Sequence, residues 1–255
     1  VNLSTTAGAI APTVSGSFVA GVRTQNVTVT QAGTGKTITA TRTGGTETGT
    51  SNTFDVNAGA LAKFAISTIS DPQTAGTAFG ITITAQDANN NTVTGFTSTV
   101  NLSTTAGTIS PAVSAVFASG VRTESVSVTQ AGTGKTITAT RTGGSETGTS
   151  NSFTVNPGAP AAVTLAGAAT DLTSGSSRSY TATVKDANGN VATNFGGSVT
   201  FSQTTGSGSL TGLGSVNAVS GVATISLTGN AAGSVTIKAA ASSIDSNTLT
   251  FNVIA

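Results

Sequence analysis

Two stretches of this chain carry residue types and spacings that could hold a ligand. Gly33-Thr-Gly-Lys-Thr37 and its copy Gly132-Thr-Gly-Lys-Thr136 resemble the end of a phosphate-binding loop, in which backbone N–H groups cradle phosphates and the Lys reaches the outer ones. That loop needs a leading Gly five residues before its last Gly, and a helix after it. Thr30 and Thr129 occupy the leading place, and Ile38 and Ala40 continue a strand pattern, so a strand-linking turn is expected in both copies. Asp186-Ala-Asn-Gly-Asn190 sets oxygen ligands at alternate positions, as a calcium loop begins. The Gly and the bidentate Glu that such a loop needs later are replaced by Val191 and Gly197, so an Asx turn is expected. A cation shared at a domain junction, using Asp87 or Asp171, is the alternative.

The composition removes most other chemistry. Cys, Met, Trp and His are all absent. Without His the commonest general base and metal ligand is missing, and without Cys there is no thiolate nucleophile, zinc site or disulfide. Charged residues make up 7% of the chain, against roughly 25% in an average soluble domain. Ten basic and nine acidic side chains spread this thinly form no patch for nucleic acid or an anionic membrane surface, so neither is an expected partner. Mean hydropathy is slightly positive, yet no run approaches the ~18 apolar residues of a membrane span. No enzyme and no cofactor are expected.

The elements that would position any site come in repeats. Residues 1–57 recur as residues 100–156 at an ungapped offset of 99, with 44 of 57 positions identical. Asp87-Ala-Asn, Phe96 and Val100 recur as Asp186-Ala-Asn, Phe195 and Val199 at the same offset, which marks a third, diverged copy. The expected domains are 1–57, an incomplete unit without its first strands, then 58–156 and 157–255. A period near 100 is too long for a solenoid repeat of ~20–50 residues and is the size of a domain with its own core. The chain starts inside a repeat, so a secretion signal would lie upstream or have been removed.

Within 58–156, apolar residues alternate with period two: Phe79, Ile81, Ile83 and Ala85, then Phe96, Val100 and Leu102, Val126 and Val128, Ile137 and Ala139, and Phe153 and Val155. Turn chemistry separates these runs at Asp87-Ala-Asn-Asn-Asn91, Thr105-Ala-Gly, Gln130-Ala-Gly-Thr-Gly134 and Thr142-Gly-Gly-Ser145. About seven antiparallel strands in roughly 100 residues predict an all-β chain of tandem immunoglobulin-like sandwiches. Phe96, Phe117, Phe153 and their equivalents are the expected large core pieces. The stretch 74–96, the Val100-Asn-Leu-Ser that follows it and the closing Gly148-Thr-Ser-Asn-Ser-Phe-Thr-Val155 resemble the tandem bacterial Ig-like repeats of large surface and secreted proteins. That resemblance implies a stalk or array module at the cell surface or outside the cell, with no catalytic motif.

The remaining candidates have plain readings. Thr28-Val-Thr-Gln and Thr37-Ile-Thr-Ala-Thr could form a flat ligand face, but Thr is a good solvent-facing strand residue. Asn2, Asn26, Asn90 and Asn101 fit the N-glycosylation triplet, as chance allows in a chain so rich in Asn, Ser and Thr. Arg42 with Glu47, and Arg141 with Glu146, suit surface ion pairs worth roughly 0–1 kcal/mol. The expected function is a non-catalytic spacer in an adhesin-like surface protein, its units partnered by their neighbours in the chain. The alternative is a filament, sheath or surface-layer subunit in which copies exchange strands, because 1–57 alone would expose Phe18, Val27, Val29 and Ile38. A second alternative is an accessory binding module of a secreted enzyme, although Tyr180 is the sole Tyr or Trp available for sugar stacking.

Overall fold

Alternation of Val, Ile, Leu and Phe with Thr and Ser makes strands throughout. The computed structural model describes residues 1–255 and contains no α-helix, and hence no helix long and apolar enough to cross a membrane. In residues 58–156 one sheet runs in the order Ile109–Ser110, Val121–Val128, Phe79–Gln86, Lys63–Ile66. Facing it are two three-stranded sheets. One joins Val100–Thr104, Ile137–Arg141 and Thr147–Thr149, and the other joins Gly132–Lys135, Phe153–Asn156 and Gln73–Thr74. The last contact is parallel, with Val155 opposite Gln73. The first strand of the repeat therefore divides between the two layers, which is how a sandwich closes its edge.

Between the layers lies a core of 17 buried residues. Ile81, Ile83 and Ala85 are at most 1% exposed, while the hydroxyls of Thr82 and Thr123 meet at 3.3 Å on the outer face. Full burial of each Ile contributes about 1.5–3 kcal/mol. Phe64, Phe96 and Phe117 pack as a triad with centroid separations of 4.9 to 5.9 Å, and Phe79 meets Phe153 at 5.9 Å. Residues 157–255 repeat the plan with a 20-residue core between a four-stranded and a six-stranded sheet. There Tyr180 stacks on Phe251 at 5.6 Å.

The structure departs from the sequence expectations in three particulars. Ten strands form over each of 58–156 and 157–255; the first strand divides in both, and in 58–156 Gly132–Lys135 is a separate strand that pairs with Phe153–Asn156 around a bulge. The expected turn over Gln130–Gly134 thus narrows to its first residues. Phe195 is only half-buried against its core, where Tyr180 and Phe201 fill the space instead. Phe18 is 50% exposed, as expected for 1–57, whereas its copy Phe117 is 2% exposed, since residues 1–57 hold no counterpart of Phe64 or Phe96. Val27, Val29 and Ile38 are half-buried rather than open.

All three repeats share one tight hairpin. Ala20-Gly21, Ser119-Gly120 and Ser220-Gly221 all have positive φ, between reciprocal backbone bonds such as Ala118 to Val121. This is the primed turn whose twist matches the flanking strands. Gly120 also lies against the Val93 carbonyl, leaving no room for a Cβ. The hairpin tip is thereby seated on the segment that follows the Asp87 loop.

Candidate functional site at the inter-repeat joints

The strand Phe79–Gln86 runs directly into Asp87-Ala-Asn-Asn-Asn91, and the chain returns through a bridge between Gln86 and Thr92. The Asp87 N–H donates to the Asn91 carbonyl at 3.0 Å, and Asn90 takes φ +69°, so the loop is a closed turn. Asp87 is 3% exposed, an unusual state for a carboxylate unless its oxygens are fully engaged. They are. One oxygen accepts from the Asn89 and Asn91 N–H groups, both at 2.9 Å; the other accepts from the Gly59 N–H and the Asn91 side-chain amide, both at 2.8 Å. Asp186 repeats the arrangement with Asn188, Asn190 and Gly158, at 2.8 to 2.9 Å.

Gly59 and Gly158 belong to the linkers Asn57-Ala-Gly-Ala-Leu61 and Asn156-Pro-Gly-Ala-Pro160, so each Asp secures the chain that enters its own repeat. Each Asn then reaches backward. The Asn91 amide donates to the Thr30 carbonyl at 2.9 Å and its oxygen accepts from the Ala32 N–H at 2.9 Å. Asn190 makes the same pair of bonds to Thr129 and Ala131, at 2.8 and 3.0 Å. A side-chain amide thus stands where a neighbouring strand's peptide group would, satisfying two backbone groups of the preceding repeat. Open grooves of about 450 and 400 Å³ flank the two ties, lined in part by Asn91 and Asn190.

The electrostatics follow from this bonding. The Asn91 side-chain amide is the largest influence on Asp87 and, with the backbone N–H groups, outweighs burial to hold the carboxyl at about 2. For Asp186 burial is the largest single influence and pushes upward, but the bonds from Asn190, Gly158 and Asn188 together bring it below the usual carboxylate range. Both Asx turns form, and both carboxylates have their acceptor directions occupied by N–H groups. The oxygens that a calcium loop would aim at a cation are turned inward. Asp171 lies elsewhere, with an oxygen accepting from Asn252 at 3.2 Å, and no three acidic side chains converge anywhere.

The Gly-Thr-Gly-Lys stretches sit beside the receptor of the tie. Gly33–Lys36 and Gly132–Lys135 are short strands, and Lys135 donates to the Thr105 carbonyl at 3.2 Å and the Gln130 side chain at 3.3 Å, so its ammonium is spent within the repeat. The residues just before them, Thr30-Gln-Ala32 and Thr129-Gln-Ala131, provide the receiving carbonyl and N–H. In the sequence the two motifs read as unconnected, one as a strand-linking turn and the other as an Asx turn. The available signal was that the pair recurs at both junctions with one spacing, about 60 residues from receptor to Asn.

Other candidates remain apart from this site, Asn90 excepted, which lies within the Asp87 loop. Asn2, Asn26, Asn90 and Asn101 are all exposed. Arg42 pairs with Glu47 at 3.1 Å and Arg141 with Glu146 at 3.0 Å across equivalent turns. Thr hydroxyls meet across strands at 3.1 Å in the pairs Thr39 with Thr50 and Thr138 with Thr149. Tyr180 is fully buried, so it offers no stacking surface.

No protein-family model matches the sequence, and no curated protein matches it. Among solved structures, the chain is similar to segments of bacterial adhesins. The adhesin InvE of Yersinia pseudotuberculosis is 23% identical over 76% of this chain and 58% of its own, with a TM-score of 0.34. The Escherichia coli adhesin FdeC is 23% identical over 90% of this chain and 76% of its own, at 0.40. The D00-D0 domains of intimin are 19% identical over 74% of this chain and 98% of theirs, at 0.38. The tandem Ig-like sandwich assignment stands on the strand pairing and the two cores.

Proposed function

We propose that this chain is a non-catalytic structural segment of an extracellular, adhesin-like surface protein, in which Ig-like units 58–156 and 157–255, preceded by 1–57, hold a distal element away from the cell. The observation that carries the reading is the pair of matching ties. Both joints are closed by the same Asp and Asn, on the same receptor groups, with bond lengths agreeing to about a tenth of an ångström. A spacer requires that each unit fold and that each joint resist bending, and the residues invested at the junctions serve that requirement. Linkers this short add to it, and Pro157 and Pro160 stiffen the second.

Small-angle scattering of the intact chain tests the proposal. Each sandwich contributes roughly 30–40 Å along its strands, so the expected maximum dimension is that of units placed end to end. A maximum dimension near that of a folded-back cluster would overturn the spacer reading.

A further inference from the structure

We propose that Asn91 and Asn190 are latches that lock consecutive repeats into one relative orientation, and that only a primary carboxamide can serve in this place. The inference goes beyond the spacer reading, because it concerns what sets the geometry of the joint whatever the array carries. The side chain must donate twice and accept once. In joint one the Asn91 nitrogen gives one hydrogen to Asp87 and one to the Thr30 carbonyl, while its oxygen takes the Ala32 N–H. Asn190 does the same with Asp186, Thr129 and Ala131.

Each Asp fixes which way the amide faces. An ionised carboxylate can only accept, so the nitrogen must be turned toward it, and the oxygen is then presented to the preceding repeat's N–H. The same carboxylate oxygen holds the linker Gly N–H, so the linker and the latch are registered on one atom while the loop N–H groups hold the other oxygen of the same carboxylate. An Asp in place of Asn91 would set an anionic oxygen against both the Asp87 carboxylate and the Thr30 carbonyl. An Ala would leave the Ala32 N–H and the Thr30 carbonyl without their cross-repeat partners. The arrangement recurs although the two linkers differ, with Ala58 in one and Pro157 in the other, so it does not follow from linker stiffness.

The chain has no Cys, which allows selective spin labelling. Labels at Ser145→Cys and Thr248→Cys report the second joint, and labels at Thr46→Cys and Ser145→Cys the first; all three positions are exposed. Distance distributions by pulsed electron resonance in the intact chain should be single and narrow. Asn190→Ala should broaden the second-joint distribution, with a fall of about tenfold in the ratio of locked to open molecules, as expected for two lost hydrogen bonds. Asn190→Asp should broaden it further, and Thr193→Ala, in the same groove but outside the tie, should leave it narrow. If Asn190→Ala impairs folding of the third repeat, Asn91→Ala with the first-joint labels gives the same reading. Parent-like narrow distributions in the Ala and Asp variants, with every repeat folded, would overturn the latch. That result would leave the spacer proposal to its own scattering test, since an array can be extended without this pair.

Discussion

Asp186 accepts from both the backbone N–H and the side-chain amide of Asn190, at 2.9 and 2.8 Å, and so holds that amide facing the preceding repeat. One buried acid therefore governs a residue whose useful contacts lie in a different domain-sized unit. The joint is built from ordinary turn chemistry, an Asx turn, to which one long-range contact has been added.

Removing that acid should cost more than removing an exposed one. Asp186→Ala leaves four N–H groups without their acceptor, and the expected loss is about 2–4 kcal/mol in urea unfolding of the third repeat. Asp186→Asn keeps the size but points N–H at N–H, so it should recover less than half of the loss. A loss within about 0.5 kcal/mol of zero would show that the loop does not need the carboxylate.

Acid should weaken the chain in a defined window. Asp87 sits at about 2, against an ordinary value of 3.8, and Asp186 is also lowered, so the unfolded chain binds protons first as pH falls. The stability from these groups is fully present above about pH 4 and is lost progressively toward pH 2. With no His and few charges, the urea midpoint should be nearly flat between pH 5 and 8. A midpoint unchanged from pH 7 down to pH 2 would contradict the bonding described for the two carboxylates.

A matched pair of glycines separates packing from propensity. A Cβ at Gly148 would collide with the Phe64 carbonyl, where Thr147–Thr149 passes the first strand of its repeat, while its copy Gly49 has nothing within 4 Å. Gly148→Ala should destabilise by about 1–3 kcal/mol through overpacking. Gly49→Ala, with the same sequence neighbours, should stay within about 0.5 kcal/mol of the parent. Equal effects in thermal melts would refute the close approach.

The Tyr180 hydroxyl is buried without a hydrogen-bond partner, and burial pushes its pKa up. Arg178 nearby is committed to the carbonyls of Ala168, Thr170 and Asp171. Tyr180→Phe should therefore leave stability unchanged or raise it by up to about 1 kcal/mol. A clear loss in urea unfolding would reveal a partner for the hydroxyl.

Most of the architecture was legible along the chain. The period-two runs at Phe79–Ala85 and Val126–Val128 became the buried faces of strands, because a pleated strand sends alternate side chains to opposite sides. The repeat at offset 99 and the turn residues between runs marked how often the plan recurs. Even the Asx turns at Asp87 and Asp186 could be read, since an Asx turn is a local bond between a side chain and a backbone two residues ahead.

What lay beyond local reading depends on partners distant in sequence. Phe18 and Phe117 occupy the same place in the repeat and have opposite exposures, since burial is decided by whether Phe64 and Phe96 stand across the sandwich. The strand Gly132–Lys135 forms because Phe153–Asn156 passes beside it. Asn91 and Asn190 looked like ordinary turn residues, and their reach to Thr30, Ala32, Thr129 and Ala131 spans about 60 residues of chain. A hydrogen bond across that separation leaves no periodicity and no composition bias. It exists only once two folded repeats bring an amide to within about 3 Å of a peptide group.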